Sequence, residues 1–411
     1  MGLSEEQPQT QIQENNTNIP NQNIPHKLLS EGAYGCVFKP GYTCQGNIEN
    51  KKYITKIQEY GKSSENEWEI STIIKTIKNY DLFFAPIISS CPISFEKLKN
   101  QQDCGVIEKR IQTQSNKNTT FQSNKIRYIL GKTLGETVED KINEYNYRQQ
   151  TQNQIQNTRR QKHPFYFVLE MHNYLLKSFS KMKIKKLIHY DLKQNNVLFD
   201  IQNNVPILID FGMSINTTKI NPQNPDLTIL RKTFFNDSEY IGWTLDTMFL
   251  SYLSITLSNQ TEEMKSHWAS QPIDTTPYQE KIKIFLEKSP LFNENQRLLL
   301  SNLFPKTSSI QETIKNFRTN TQTKWEEYLQ TTLKPKTQLD LFQTLWKNCF
   351  TWDTYALSTM FLLLVSKMPK PNDPKTITEM ENYVKINIEN IQNLPHTRKT
   401  PLQMFKELAT K

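Results

Sequence analysis

The stretch Ile188-His-Tyr-Asp-Leu-Lys-Gln-Asn-Asn-Val-Leu-Phe-Asp-Ile-Gln-Asn-Asn-Val-Pro-Ile-Leu-Ile-Asp-Phe-Gly212 decides the reading of this chain. Asp191, Lys193 and Asn196 lie within six residues, and a second carboxylate, Asp210, follows a polar turn. Each half ends in an apolar run with strand character, at 196–199 and 206–209. Gln202-Asn-Asn204 has turn chemistry, so 197–209 is predicted to be a short hairpin. Such a hairpin folds Asp210 back beside Asp191 and Asn196. The resulting oxygen donors suit Mg²⁺, which takes a few hard ligands and completes its shell with water and phosphate.

An isolated Asp-Phe-Gly is no more than a turn after a strand. His189-x-Asp191-Leu-Lys193-x-x-Asn196 is far more restrictive, fixing five residue types over eight positions. The two together, in this order and a hairpin apart, resemble the catalytic loop and metal-binding Asp-Phe-Gly of the eukaryotic-type protein kinase superfamily. The resemblance implies an α+β, two-lobed fold. A small, mainly antiparallel β lobe would carry one key helix, and the larger lobe would be helical.

An ATP-cradling loop should then lie upstream. The chain has 11 glycines in 411 residues, yet Gly32 and Gly35 sit close together in Leu29, Ser30, Glu31, Gly32, Ala33, Tyr34, Gly35, Cys36 and Val37. Apolar flanks fit a strand–turn–strand whose bare backbone closes over phosphates. It resembles the kinase glycine loop, with Tyr34 at the aromatic tip and Val37 where adenine packs. Ser30 replaces the first glycine, the position least tied to the phosphates.

The next strand, 52–57, carries Lys56, which by the same resemblance would meet the α- and β-phosphates. Glu67, Ile70, Ile74 and Ile77 then recur at helical spacing on one face. Glu67 is the candidate partner of Lys56, with Glu69 the alternative.

Length and charge agree with this reading. A chain of 411 residues holds a two-lobed enzyme of roughly 250–300 residues plus insertions. The net charge of +9 is modest for the length. Lys177, Lys181, Lys183, Lys185 and Lys186 read as a solvated helix end. Nucleic-acid binding is not expected, because no aromatic interleaving or binding motif accompanies them. The five cysteines are scattered without metal-ligand spacing, which points to reduced thiols and a cytoplasmic protein. No signal peptide or membrane span is expected. The longest apolar run, 356–365, is about half of the ~20 residues a spanning helix needs. Met1-Gly2 lacks the Ser or Thr at position 6 that myristoylation requires, since Glu6 stands there.

Residues 1–25 are Gln/Asn-rich and expected to be disordered. Residues 26–130 make the first lobe, with strands near 27–38, 52–57, 83–88, 105–110 and 126–130 and a polar loop at 112–124. Tyr128 to Leu134 reads as the crossing between lobes. Residues 131–411 make the second lobe. In it a polar stretch at 148–162 precedes a long helix at 164–183, and a helical insertion occupies about 259–345. By resemblance, Asp353 of Trp352-Asp-Thr-Tyr-Ala-Leu-Ser358 would brace the catalytic loop. An Arg in Thr397-Arg-Lys-Thr400 would pair with the acid closing the activation segment, which Asp246 offers. An alternative registers Asp246 itself in the central helix.

Tyr34-Gly-Cys-Val-Phe-Lys-Pro40, Cys44, Cys91 and Trp243-Thr-Leu-Asp246 resemble divergent serine/threonine kinases of large nucleocytoplasmic DNA viruses. The implied location is host cytoplasm or virion. The implied function is transfer of the ATP γ-phosphoryl group to Ser or Thr of protein substrates. Asp191 would orient the acceptor hydroxyl and Lys193 would steady the γ-phosphoryl group. Asn196 and Asp210 would hold Mg²⁺, while Lys56 and Glu67 would align the triphosphate. The alternatives are a pseudokinase scaffold that binds partners through the insertion, and a small-molecule phosphotransferase.

Overall fold

The computed structural model describes residues 27–32, 35–45, 47, 50–93, 104–105, 107–109, 121–152, 162–234, 242–258 and 267–409. The N-terminal segment expected to be disordered lies outside them, as do Ala33 and Tyr34. The fold is α+β.

Five strands form one antiparallel sheet in the order β1-β2-β3-β5-β4. These are β1 Lys27–Gly32, β2 Gly35–Lys39, β3 Tyr53–Glu59, β4 Ile87–Ile93 and β5 Phe121–Arg127. Gly32 faces Gly35, so a two-residue connection turns β1 into β2. Helix α1, Lys62–Ile74, buries Glu67, Ile70 and Ile74 along the stripe that their spacing traces. Ile70 and Ile74 join Phe84 and the interior of the helical part in one continuous core.

Four further strands lie in or beside the quoted stretch: β6 Leu187–Ile188, β7 Val197–Asp200, β8 Val205–Leu208 and β9 Ile215–Asn216. β7 and β8 form the expected hairpin, with Val197 opposite Leu208 and Asp200 opposite Val205. The hairpin is stitched to the sheet side through Ala85 N–H to Leu208 O (2.9 Å) and Leu208 N–H to Phe83 O (3.0 Å).

The helical part starts with α2 Leu134–Gln152 and α3 Pro164–Ile184. Pro164 sits at the first position of α3, and His163 Nδ1 accepts the Phe165 N–H, so the start is fixed by ring geometry and a cap. Then follow α4 Leu227–Thr233, α5 Leu245–Ser258, α6 Thr276–Lys288, α7 Glu294–Asn302, α8 Ile310–Lys315, α9 Phe317–Tyr328 and α10 Gln338–Trp346. The chain ends in α11 Trp352–Val365, α12 Pro374–Gln392 and α13 Pro401–Ala409. Along α11 every residue except Leu363 is buried. A helix apolar on all faces belongs at the centre of its layer, and α11 occupies that place. The described part of the expected insertion, 267–345, is helical and contributes Ile282, Phe285, Trp325 and Leu341 to the main core.

Several expectations are corrected. The segment expected as a strand at 105–110 is helical at 105 and 107–109. The strand expected at 126–130 is β5, which begins earlier, at Phe121, and takes its first residues from the expected polar loop 112–124. Gln122, Ser123 and Asn124 are polar yet buried inside the sheet, which is why alternation failed to reveal them. Helix α2 runs on to Gln152, into the stretch expected to interrupt the chain.

The cysteines differ as well. Cys36 is bonded to Cys104 and Cys44 to Cys91, with Cα–Cα separations of 6.1 and 5.8 Å; only Cys349 is free. Sequence spacing carries no information about which strands become neighbours, and it is the sheet that brings these thiols together. Cys36 and Cys104 sit in a second small core with Phe38, Tyr42, Ile57, Ile93, Ile107 and Phe121. Paired cysteines are the chemistry of oxidising surroundings rather than of the reduced thiols expected.

Candidate functional site

Cross-strand register places the side chains on the sheet. Lys56 stands opposite Val37 on one side and Asn124 on the other, so these three share a face. Cys36 stands opposite Ile57 and shares the other face. Of the residues expected around a phosphate, Cys36 therefore turns its side chain away, into its bond with Cys104. Only its backbone is left for that side, which corrects its place in the predicted set. Gly35 is required by packing: a Cβ there would lie 2.1 Å from Ile57 O. Leu29, Ser30, Glu31 and Gly32 are exposed along β1.

Lys56 Nζ donates to both oxygens of Glu67 (3.2 and 2.9 Å) and to Asp210 Oδ1 (2.9 Å). Glu67 is thus the partner; Glu69 instead bonds Lys219 and Asn216. Gln58 adds a bond to Glu67 Oε2 at 3.1 Å. Burial opposes the charge on Lys56, but the two carboxylates more than offset it and hold its ammonium above the ordinary lysine range. Burial likewise works against the Asp210 carboxylate, and Lys56 outweighs it, aided by His189 and Lys193, so its pKa is lowered.

Two positioning residues were missed in the sequence. Gln58 lies two positions beyond Lys56 on the same strand face, so period-two reading would have found it. Asn66 of α1 donates to Gly212 O (3.0 Å) and Ser214 O (2.9 Å), holding the segment just after Asp210.

The second group is built on the loop between β6 and β7. Lys193 Nζ lies 2.9 Å from Asp191 Oδ2. Asn196 Nδ2 donates to Asp191 O (2.7 Å) and Oδ2 (2.9 Å). The loop backbone is fixed from beneath by Asp353, which accepts the N–H groups of His189 and Tyr190. Burial raises the Asp353 pKa, partly countered by His189 and by those backbone donors. Tyr190 adopts φ 66°. It stacks on Trp243 at 5.0 Å, and the Trp243 indole donates to Tyr190 O at 3.0 Å.

The two groups meet at the end of the hairpin. Ile209 N–H donates to Asn196 O (3.0 Å), and His189 Nε2 contacts Ile209 O (3.1 Å). Asp210 is the next residue, at φ 60°, a left-handed conformation that Asp tolerates better than most side chains. Lys56, Glu67, Asp191, Lys193, Asn196 and Asp210 thus gather where the sheet meets the helical part.

The donor chemistry fits a hard cation. Asn196 spends its Nδ2 on Asp191, leaving Oδ1, and Asp210 spends Oδ1 on Lys56, leaving Oδ2. Among the described residues no cluster of three or more His, Cys, Asp or Glu could hold a metal by itself. A carboxylate and a carboxamide supply part of a shell that water and phosphate oxygens would complete.

Two further expectations concern the frame. Arg398 Nη1 lies 3.1 Å from Asp246 Oδ1, and both side chains are fully buried. Trp352 Nε1 donates to Asp246 Oδ2 at 2.5 Å. Asp246 therefore pairs with Arg398 while Asp353 braces the loop, and the alternative register is not the one adopted. Neither protein-family models nor curated protein sequences match the chain.

Proposed function

We propose that the chain is a serine/threonine protein kinase that uses ATP and Mg²⁺, with the sheet and the helical part as its two lobes. One observation carries the reading: Lys56 bridges Glu67 and Asp210 beside a loop that presents Asp191, Lys193 and Asn196. Such charge and geometry would serve phosphoryl transfer, where catalysis is mostly positioning and electrostatics.

Lys56, kept charged by Glu67 and Asp210, would meet the α- and β-phosphates. Val37 on the same face would pack the base, and the backbone around Gly32 and Gly35 would approach the phosphates closely. Asn196 and Asp210 would hold Mg²⁺, which when bound supplies positive charge against the triphosphate. Asp191 keeps Oδ1 clear of the Lys193 and Asn196 bonds, so it can accept the hydrogen bond of an acceptor hydroxyl and align it. Lys193, already beside Asp191, would steady the γ-phosphoryl oxygens as charge builds on them. Protein Ser and Thr are the proposed acceptors, since Lys193 two residues after Asp191 is the serine/threonine pattern.

The test is purified protein with γ-labelled ATP and a mixed protein substrate, followed by phosphoamino-acid analysis. Phosphoserine and phosphothreonine are expected. Label on a sugar, mainly phosphotyrosine, or no transfer alongside intact folding would overturn the proposal.

A further inference from the structure

The lysine cluster before the catalytic loop is not used by the proposed reaction. Lys177 lies over the Phe405 ring and Lys181 over Phe83, so both are occupied along the helical surface. Lys183 and Lys186 instead converge on a third ring, Phe350, at 5.8 and 6.0 Å from its centroid. Phe350 forms one wall of a cavity of about 580 Å³. It lies between the end of α3, the turn joining α10 to α11, and the segment that leads into α13.

The lining contains Lys183, Lys347, Arg398 and Lys399 together with His396, and no carboxylate. Two of these cations are already neutralised, Arg398 by Asp246 and Lys399 by Glu407. Lys183 and Lys347 have no carboxylate partner among the described residues. The hydroxyls of Thr351, Thr397 and Thr400 in the lining spend their protons on Asn348 O, Leu394 O and Gln403 Oε1, so the two ammonium groups are what the wall offers an anion. Two uncompensated ammonium groups across a concave wall raise the local potential more than they would on a convex surface. The volume is that of a small-ligand site rather than of a macromolecular groove.

We infer that this cavity binds a small polyphosphorylated anion, held chiefly by Lys183 and Lys347. The site stands apart from Lys56 and Asp210. It abuts Arg398, whose pairing with Asp246 anchors the chain just after the segment that leaves the catalytic loop.

Tripolyphosphate is the probe, followed by calorimetry and thermal unfolding of the full chain. Wild type should bind tripolyphosphate with a rise in the unfolding temperature, and Lys56→Met, which removes the cation proposed to meet the ATP phosphates, should keep one equivalent. Lys183→Gln and Lys347→Gln should each weaken it roughly tenfold or more, the worth of one charge-assisted hydrogen bond. The double variant should lose it while unfolding at the temperature of the free wild type. An equivalent that survives when the double variant is combined with Lys56→Met, or binding lost in Lys56→Met alone, would overturn the assignment. So would the absence of any tripolyphosphate binding by wild type, or a single-stranded oligonucleotide that binds through these lysines and is not displaced by tripolyphosphate.

Discussion

Asp353 on α11 accepts the backbone N–H groups of His189 at 2.8 Å and Tyr190 at 3.0 Å, from 164 and 163 positions further along the chain. One buried carboxylate thus holds two adjacent amides of the loop that carries Asp191, and the loop takes its shape from a helix remote in sequence. Asp353→Ala would strand both amides, each costing about 1–3 kcal/mol when buried without a partner. Urea unfolding should show a loss of roughly 2–6 kcal/mol, and phosphotransfer should fall with it. Wild-type stability in this variant would remove the brace from the account.

Lys56→Met should lose most phosphotransfer, and it should also unfold more easily. Glu67 is almost wholly buried and would keep only Gln58. An orphaned buried charge costs about 3–5 kcal/mol. Adding Glu67→Gln should restore much of the stability and none of the activity. If the single variant turned over at the wild-type rate, Lys56 would have no role at the phosphates.

Asp210 has a pKa lowered in the folded protein from 3.8, so its ion pair stabilises the fold above that value and the benefit disappears as pH falls through the lower folded pKa. The difference in unfolding temperature between wild type and Asp210→Asn should be constant near neutral pH and close below pH 3.8. A gap that widened on acidification would contradict the pairing with Lys56. At neutral pH the same variant should bind Mg-ATP weakly, whereas Asp191→Asn should bind it and fail to transfer.

Activity should not depend on phosphorylation of the segment after Asp210. The residue before Asp191 is Tyr190, which cannot pair with a phosphate. It is instead packed by Trp243, by Trp352 at 5.9 Å and by Phe234 at 6.1 Å. If the proposed function holds, this aromatic packing would stand in place of such an ion pair. Phosphatase-treated protein should phosphorylate a substrate without a lag. A burst after autophosphorylation, abolished by alanine at Ser214, Thr217, Thr218, Thr228 or Thr233, would refute this.

Thiol counting separates the two readings of the cysteines. Cys349 is buried, and desolvation pushes its thiol up to about 12. A thiol reagent should find nothing in the native protein, one group after denaturation and all five after reduction. Five reactive groups without reduction would show that neither bridge forms.

The site was far more legible than its frame. Lys56, Glu67, Asp191, Asn196 and Asp210 could be picked out because phosphate and metal chemistry restricts both residue type and spacing. The hairpin at 197–208 was legible because turn residues separate two short apolar runs. Only the end of β5 was legible, because its buried positions 122–124 are Gln, Ser and Asn, whose burial depends on neighbouring strands. Asn66 was hidden for a similar reason, since its value lies in two carbonyls nearly 150 residues away.

The contact between Trp352 and Asp246 closes a loop of the chain, since the two are 106 positions apart and touch side chain to side chain. Everything from α6 to α10 is an excursion that departs and returns through one gate. Closure entropy grows only logarithmically, so doubling such an excursion costs about 0.6 kcal/mol. Its length is therefore weakly constrained, while its inner surface is not. Trp325 packs edge-on against Phe249 at 5.6 Å, and Gln392 of α12 reaches Phe317 O at 3.1 Å. On α7, Leu298 and Leu299 are exposed, while Gln296 bonds Ser366 and Leu300 is buried. Substitutions at Leu298 and Leu299 can accumulate without disturbing the loop that carries Asp191, whereas deleting the excursion would strip α5 and α12 of the side chains that cover them.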